Sequence, residues 1–193
     1  MYSIPLGTNL QYNADMCGRY RFWDKQNPDI AKLIEAAKDS LPEMTFKELS
    51  LAEVFPGSLV LVRTWTGKDG FTVCRWGFPM KGKTLINARS ETWETTAFYH
   101  GSWPCIVPAS AYYEWNVQHE KYSFAGAGTI FMAGLLKKFG EEWRMVILTE
   151  AAQGKNADIH HRQPVLLRQE NFPAWLQRKQ LVPDRREMYI AKE

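Results

Sequence analysis

The sequence predicts an α+β domain on an antiparallel or mixed sheet, and three observations carry that reading: one amphipathic helix near the start, a series of β-rich runs broken by turn residues, and a length that suits one core. At 193 residues the chain falls within the usual size of a single domain. Its 45% apolar and 23% charged content is that of an ordinary globular protein.

The helix is read over Asn27 to Ser40. Asn27 suits the N-cap, Pro28 the first helical position, and Ile30, Leu33, Ile34 and Ala37 recur at i, i+3, i+4 and i+7. Ser58 to Trp65 and Phe71 to Phe78 are rich in β-formers and flank Thr66 to Gly70, which reads as a hairpin loop. Further strands are expected at Trp103 to Val107, Ala111 to Trp115, Thr129 to Lys137 and Trp143 to Thr149. Lys138 to Glu142 is a turn between the last two, and a short helix is expected around Phe172 to Arg178. Arg178 to Glu193 alternates charge signs and reads as a solvated tail.

No apolar run reaches the roughly 18 to 20 residues needed to cross a bilayer. The first fifteen residues lack both the basic start and the apolar stretch of a secretion signal. The expectation is a cytoplasmic protein, nucleoid-associated in a bacterial host, without a membrane partner. Cys17, Cys74 and Cys105 are an odd number, which argues for reduced thiols rather than a disulfide framework. A net charge of +3 permits contact with nucleic acid without indicating it, so phosphate binding would need a local patch.

Four stretches combine reactive groups with rigid or small residues: Met16-Cys17-Gly18-Arg19, Asn87-Ala88-Arg89-Ser90-Glu91-Thr92, Pro108 to Trp115, and His160-His161-Arg162-Gln163-Pro164. Together they resemble the SOS response-associated peptidase (SRAP) family, whose members carry M-C-G-R, N-A-R-x-E-T, a Y-E-W strand and H-x-R-x-P in that order. The resemblance runs from Met16 to about Trp175. It implies a β-barrel-like core with a few flanking helices, DNA binding, self-processing that leaves cysteine first in the chain, and a thiazolidine link to abasic sites. It also divides the chain into an extension or pro-segment, 1–16, and a domain, 17–193.

Cysteine at a chain start is chemically distinct. Its α-amine, with a reference pKa of about 7.7 to 8.0, can form a Schiff base with the ring-opened aldehyde of an abasic sugar. The thiol on the same residue then closes a five-membered ring intramolecularly. Fifteen residues, Met1 to Asp15, precede Met16 here. An acylated nitrogen cannot form the imine, so either translation starts at Met16 or the bond before Cys17 is cut, for which the thiol can attack the preceding carbonyl.

Strand alternation places Tyr112 and Glu114 on one face and Tyr113 and Trp115 on the other. A carboxyl between aromatic neighbours is expected to be partly desolvated and useful as a proton shuttle; a half-exposed glutamate paired with a surface arginine is the plainer alternative. The resemblance implies that Glu114 handles protons and that His160, selected by the H-x-R-x-P spacing over His161, assists the Schiff-base chemistry. Asn87 and Arg89, two apart in an extended segment, can address one ligand, the amide holding the sugar or the Cys17 backbone and the guanidinium a phosphate. Arg19 and Arg162 would extend the phosphate track, with Glu91 as a structural partner for an arginine. Trp76, in Trp76-Gly77-Phe78-Pro79, resembles an element beside the DNA cleft.

The pattern departs from the family at several points. Ala111 stands where glycine is usual, Gln163 replaces a methionine, Glu53 occupies roughly the place of an asparagine, and a second tryptophan after the Trp76 element is missing. No metal and no cofactor are expected: the adjacent His160 and His161 would point to opposite faces, and Cys74 and Cys105 lack C-x-x-C spacing.

The sequence therefore predicts catalytic roles for Cys17, Asn87, Glu114 and His160, DNA contacts from Arg19, Trp76, Arg89 and Arg162, and a monomer acting on abasic single-stranded DNA. Two other readings are kept: a cysteine hydrolase using Cys17 and His160 on external peptides, and a non-covalent single-strand binding module.

Overall fold

The computed structural model describes residues 17–23, 27–65 and 70–193. Its strands are β1 (Arg19–Arg21), β2 (Glu53–Val54), β3 (Leu59–Arg63), β4 (Phe71–Trp76), β5 (Phe78–Met80), β6 (Lys83–Leu85), β7 (Asn87–Arg89), β8 (Trp103–Trp115), β9 (Lys121–Phe139), β10 (Glu142–Ala151), β11 (Arg162–Pro164) and β12 (Tyr189–Lys192). The helices are α1 (Pro28–Ser40) and α2 (Glu43–Glu48), both before β2, and α3 (Phe172–Leu176), after β11. The expected loop at Thr66 to Gly70 lies, except for Gly70, outside the described residues.

The sheet closes on itself. β9 pairs with β10, β10 in parallel with β4, β4 with β3, β3 with β8, and β8 again with β9, giving a five-stranded barrel. The short strands β7 and β11 both add to β10, and β1 lies against β8 with Arg19 opposite Tyr113 and Tyr20 opposite Tyr112. The α+β class and the barrel-like core are thus those expected.

Strand alternation explains why β8 and β10 carry so few polar residues. Cys105, Val107, Met145 and Ile147 point into one apolar cluster, while Ile106, Val146 and Leu148 point into another that includes Trp175 of α3. Both faces are covered, so hydrophobic-in, polar-out alternation is lost. The indole N–H of Trp175 donates to the Cys105 carbonyl at 2.9 Å and fastens α3 to β8.

The predicted face of α1 packs inward: Ile30 and Ala37 are fully buried and Leu33 and Ile34 lean against the same cluster. Asn27 occupies the N-cap without a side-chain cap; its Oδ1 accepts instead from the Thr129 hydroxyl, tying the helix start to β9.

Two expectations are corrected. The strands read at Trp103 to Val107 and Ala111 to Trp115 are one strand, bulged between Ala109 and Ala111, and its partner β9 begins eight residues before the expected Thr129. The C-terminal run is not a solvated tail. β12 pairs with β9, Met188 is buried, and the nearly inaccessible Asp184 takes Arg168 at 3.0 Å and Arg186. Its alternating charges find partners remote in sequence, and Met188 and Ile190 supply the apolar contacts that seat it. Among the described residues, no helix is long and apolar enough to cross a membrane.

Candidate active site

β1, β7, β8 and the turn before β11 converge on Cys17. Residues just ahead of β1 lie beside the end of β8 because the Arg19–Tyr113 register carries them there. β7 reaches the same place from the other side through its parallel pairing with β10, Asn87 opposite Ile147. Asn87 Nδ2 donates to the Cys17 carbonyl at 3.0 Å, and Asn87 Oδ1 is buried without a hydrogen-bond partner among the described residues.

Glu114, only 3% exposed, sits between Cys17 and His160. Its Oε2 lies 3.7 Å from His160 Nδ1, while the same ring nitrogen is 3.0 Å from the Arg162 carbonyl. The partly desolvated reading of Glu114 therefore describes its surroundings, and the half-exposed alternative does not.

Burial pushes the Glu114 carboxyl well above the usual range, against hydrogen bonds from the Cys17 backbone and thiol that pull it down. The Cys17 thiol is also pushed well up, first by burial and then by the Glu114 charge, with backbone hydrogen bonds at Arg19 and Tyr113 acting the other way. Neither group favours its charged form here, and the thiol donates to the Arg19 carbonyl at 3.7 Å. Tyr112, raised chiefly by burial, stacks on Phe124 with ring centroids 4.8 Å apart on the same side of the site.

The predicted DNA-binding residues differ in exposure and partners. Arg89 is exposed at the end of β7. Arg19 pairs with Glu53 at 3.4 Å and lies over the rings of Phe55 and Trp115, at 4.4 and 5.2 Å. Glu53 also takes Lys121 at 3.1 Å, so this one acid offsets two cations beside the site. Arg162 is buried and grips Glu91 through two bonds, at 2.7 and 2.9 Å, and the Thr149 carbonyl at 2.6 Å. In this conformation it clips the Asn87 and His160 segments together instead of facing a phosphate. The pair holds the Glu91 carboxyl down at about 2.

Trp76 is completely buried and donates from its indole to the Ile86 carbonyl at 2.9 Å. It is a core residue with no surface open to DNA in this conformation, against the expected DNA contact. The Gly77 that follows has φ +113, and a Cβ there would lie 2.2 Å from Thr84 Cγ2.

The two histidines do not point to opposite faces as an extended segment would require. Their rings lie 4.5 Å apart because the chain turns there, the His160 amide donating to the Asn156 carbonyl at 3.0 Å. Among the described residues, no group of three or more His, Cys, Asp or Glu is placed to hold a metal ion.

Sequence reading missed the polar cluster behind this turn, formed by Glu150, Asn156, Gln163 and Arg185. Its only signal was the polar Gln163 where an apolar residue is usual.

Comparison with known proteins agrees with this architecture. A model of the SOS response associated peptidase (SRAP) family matches residues 16–192. The abasic site processing protein YobE of Bacillus subtilis is 32% identical over 117 residues, 53% of this chain and 53% of that protein. The abasic site processing protein YedK of Escherichia coli is 26% identical over 184 residues, 85% of this chain and 81% of YedK. The chain spans about half the length of the Bacillus relatives it matches. A solved protein from Bacteroides thetaiotaomicron shares the fold with a TM-score of 0.69 at 19% identity over 91% of each chain. A phage-related protein from Bordetella bronchiseptica does so with a TM-score of 0.60 at 22% identity, over 83% of this chain and 81% of its own. With four motifs gathered by one barrel and a family match over nearly its whole length, this chain belongs to the SOS response associated peptidase family.

Proposed function

We propose that this chain, once Cys17 is its first residue, binds single-stranded DNA and captures the ring-opened aldehyde of an abasic site as a thiazolidine. The reading rests on one observation: a buried, proton-retaining Glu114 stands between Cys17 and His160 while Asn87 holds the Cys17 carbonyl. The names of the relatives, abasic site processing proteins, point to the same class of substrate.

The chemistry follows from these positions. The Cys17 α-amine adds to C1′ of the aldehyde, giving a carbinolamine. Glu114, kept protonated by burial, supplies the proton with which the hydroxyl leaves as water, and an iminium forms. The Cys17 sulfur then adds to the iminium carbon while its proton returns to the Glu114 carboxylate. One water is lost overall and nothing is oxidised or reduced. The free Asn87 Oδ1 accepts a hydrogen bond from the amine or the carbinolamine, and His160 exchanges protons with Glu114 and the opened sugar.

The reading requires removal of residues 1–16, by self-cleavage ahead of Cys17 or by translation from Met16; that segment lies outside the described residues. An external cysteine hydrolase is the second reading; burial beside a carboxyl drives the Cys17 thiol away from the thiolate such an enzyme uses.

The test uses a single-stranded oligonucleotide with one abasic site and protein beginning at Cys17. An adduct that survives denaturation and is lost in Cys17→Ala but kept in Cys74→Ala supports the reading. Salt-sensitive, fully reversible binding alone rejects it.

A further inference from the structure

The polar cluster behind the His160 turn lies outside the chemistry just described, yet its bonds converge on one side chain. Gln163 Oε1 accepts from the Gln153 amide at 3.2 Å and from Asn156 Nδ2 at 2.8 Å, and Gln163 Nε2 donates to Glu150 Oε1 at 3.2 Å. Gln163 is 8% exposed, so these bonds are made away from water, where losing them leaves buried polar groups unsatisfied.

Asn156 is the joint between this cluster and the site. Its carbonyl takes the His160 amide at 3.0 Å and the Ile159 amide at 3.1 Å, and its Nδ2 also reaches Tyr112 Oη at 3.3 Å. Below the turn, β11 holds Gln163 opposite Glu150, and the Ala152 amide donates to the His161 carbonyl at 3.0 Å. The segment bearing His160 is thus closed at both ends, and Gln163 ties its near and far limbs together.

We propose that Gln163 is a positioning residue: by bonding Gln153, Asn156 and Glu150 it fixes the turn whose Asn156 carbonyl holds the His160 amide, and so sets the His160 ring against Glu114. It touches neither the thiol nor the carboxyl. Its effect passes through His160 alone, and a ring displaced by a fraction of an ångström loses the proton exchange with Glu114. Asn156 shares the task from the other end of the bond.

The inference rests on the abasic-site reading, and the test separates the two. Gln163→Met keeps the length of the side chain and removes all three bonds. With protein beginning at Cys17 and abasic oligonucleotide, the maximal rate of adduct formation is expected to fall about tenfold, with the DNA concentration for half-maximal rate changed less than about twofold. In a His160→Ala background the same substitution is expected to change the rate by less than about twofold, since the group it positions is gone. Asn156→Ala is expected to show the same pattern, which keeps the test open should Gln163→Met not fold; circular dichroism and thermal melts identify the folded variants. An unchanged maximal rate in both folded variants, or an undiminished loss in the His160→Ala background, overturns the proposal. Absence of any adduct from the parent protein instead rejects the abasic-site reading itself.

Discussion

Asn87 Nδ2 holds the Cys17 carbonyl oxygen at 3.0 Å across a sequence separation of 70 residues, so Cys17 is anchored by a strand that pairs with β10, while its own neighbour β1 pairs with β8. β7 can do this because its parallel pairing with β10 carries Asn87 inward while Arg89, two residues on, emerges at the surface. Asn87→Ala removes the donor and leaves a buried carbonyl unsatisfied. The expected outcome is a loss of about 1 to 3 kcal/mol in urea unfolding, together with an adduct rate lowered about tenfold. Unchanged stability and rate would show the contact to be incidental.

Glu114 makes stability depend on pH in a defined direction. Its folded carboxyl titrates well above the unfolded one, so the folded chain holds the extra proton between the two values. Stability is greatest below the unfolded carboxyl range and falls as pH rises through the raised folded value. Glu114→Gln removes that fall. Thermal melts from pH 4 to pH 9 should show the variant gaining on the parent as pH rises, while its adduct rate drops about a hundredfold. A parent curve parallel to that of the variant would contradict the buried-acid assignment.

Glu91 gives the opposite dependence. Its carboxyl is held at about 2 by Arg162, so the pair stabilises fully above the unfolded carboxyl range and loses its effect as pH falls through about 2. Glu91 is half exposed, which screens the interaction, and Glu91→Gln is expected to cost about 1 kcal/mol at pH 7 and progressively less as pH falls toward about 2. Arg162→Ala should cost more, because the guanidinium also bonds Thr149 within the interior. Equal urea midpoints for Glu91→Gln and the parent at pH 7 would count against the clip.

Trp76 and Gly77 are predicted to act through folding. Trp76→Ala should cost about 3 to 5 kcal/mol, the usual range for emptying a buried aromatic site. Gly77→Ala meets both a left-handed backbone and a methyl group at 2.2 Å and should lower the melting temperature by several degrees. A Trp76 variant of parental stability that had lost DNA affinity would restore it as a DNA-contacting residue.

The local signals in the sequence were strong where one element decides its own conformation. Pro28 and the Ile30 to Ala37 spacing define α1, and the β-rich runs on either side of Gly70 form the β3–β4 pair. They were weak where distant segments decide. Nothing local shows that Trp76 points inward, because W-G-F-P reads equally as surface turn or core; the Ile86 carbonyl that takes its indole is settled by the barrel. The C-terminal charges looked solvated because Arg168, which neutralises Asp184, lies sixteen residues away. Motif order identified the neighbourhood of Cys17, Asn87, Glu114 and His160, whereas the adjacency of His160 and His161 and the role of Gln163 depend on a turn that only the packing against β10 and Tyr112 creates.

Intact-mass measurement of the product formed with a single-stranded abasic oligonucleotide tests the central claim most directly. Protein beginning at Cys17 should yield a species equal to protein plus oligonucleotide less one water, absent when Cys17 is replaced by alanine. A species of that mass formed equally well by protein still carrying residues 1–16, or by Cys17→Ala, would contradict it.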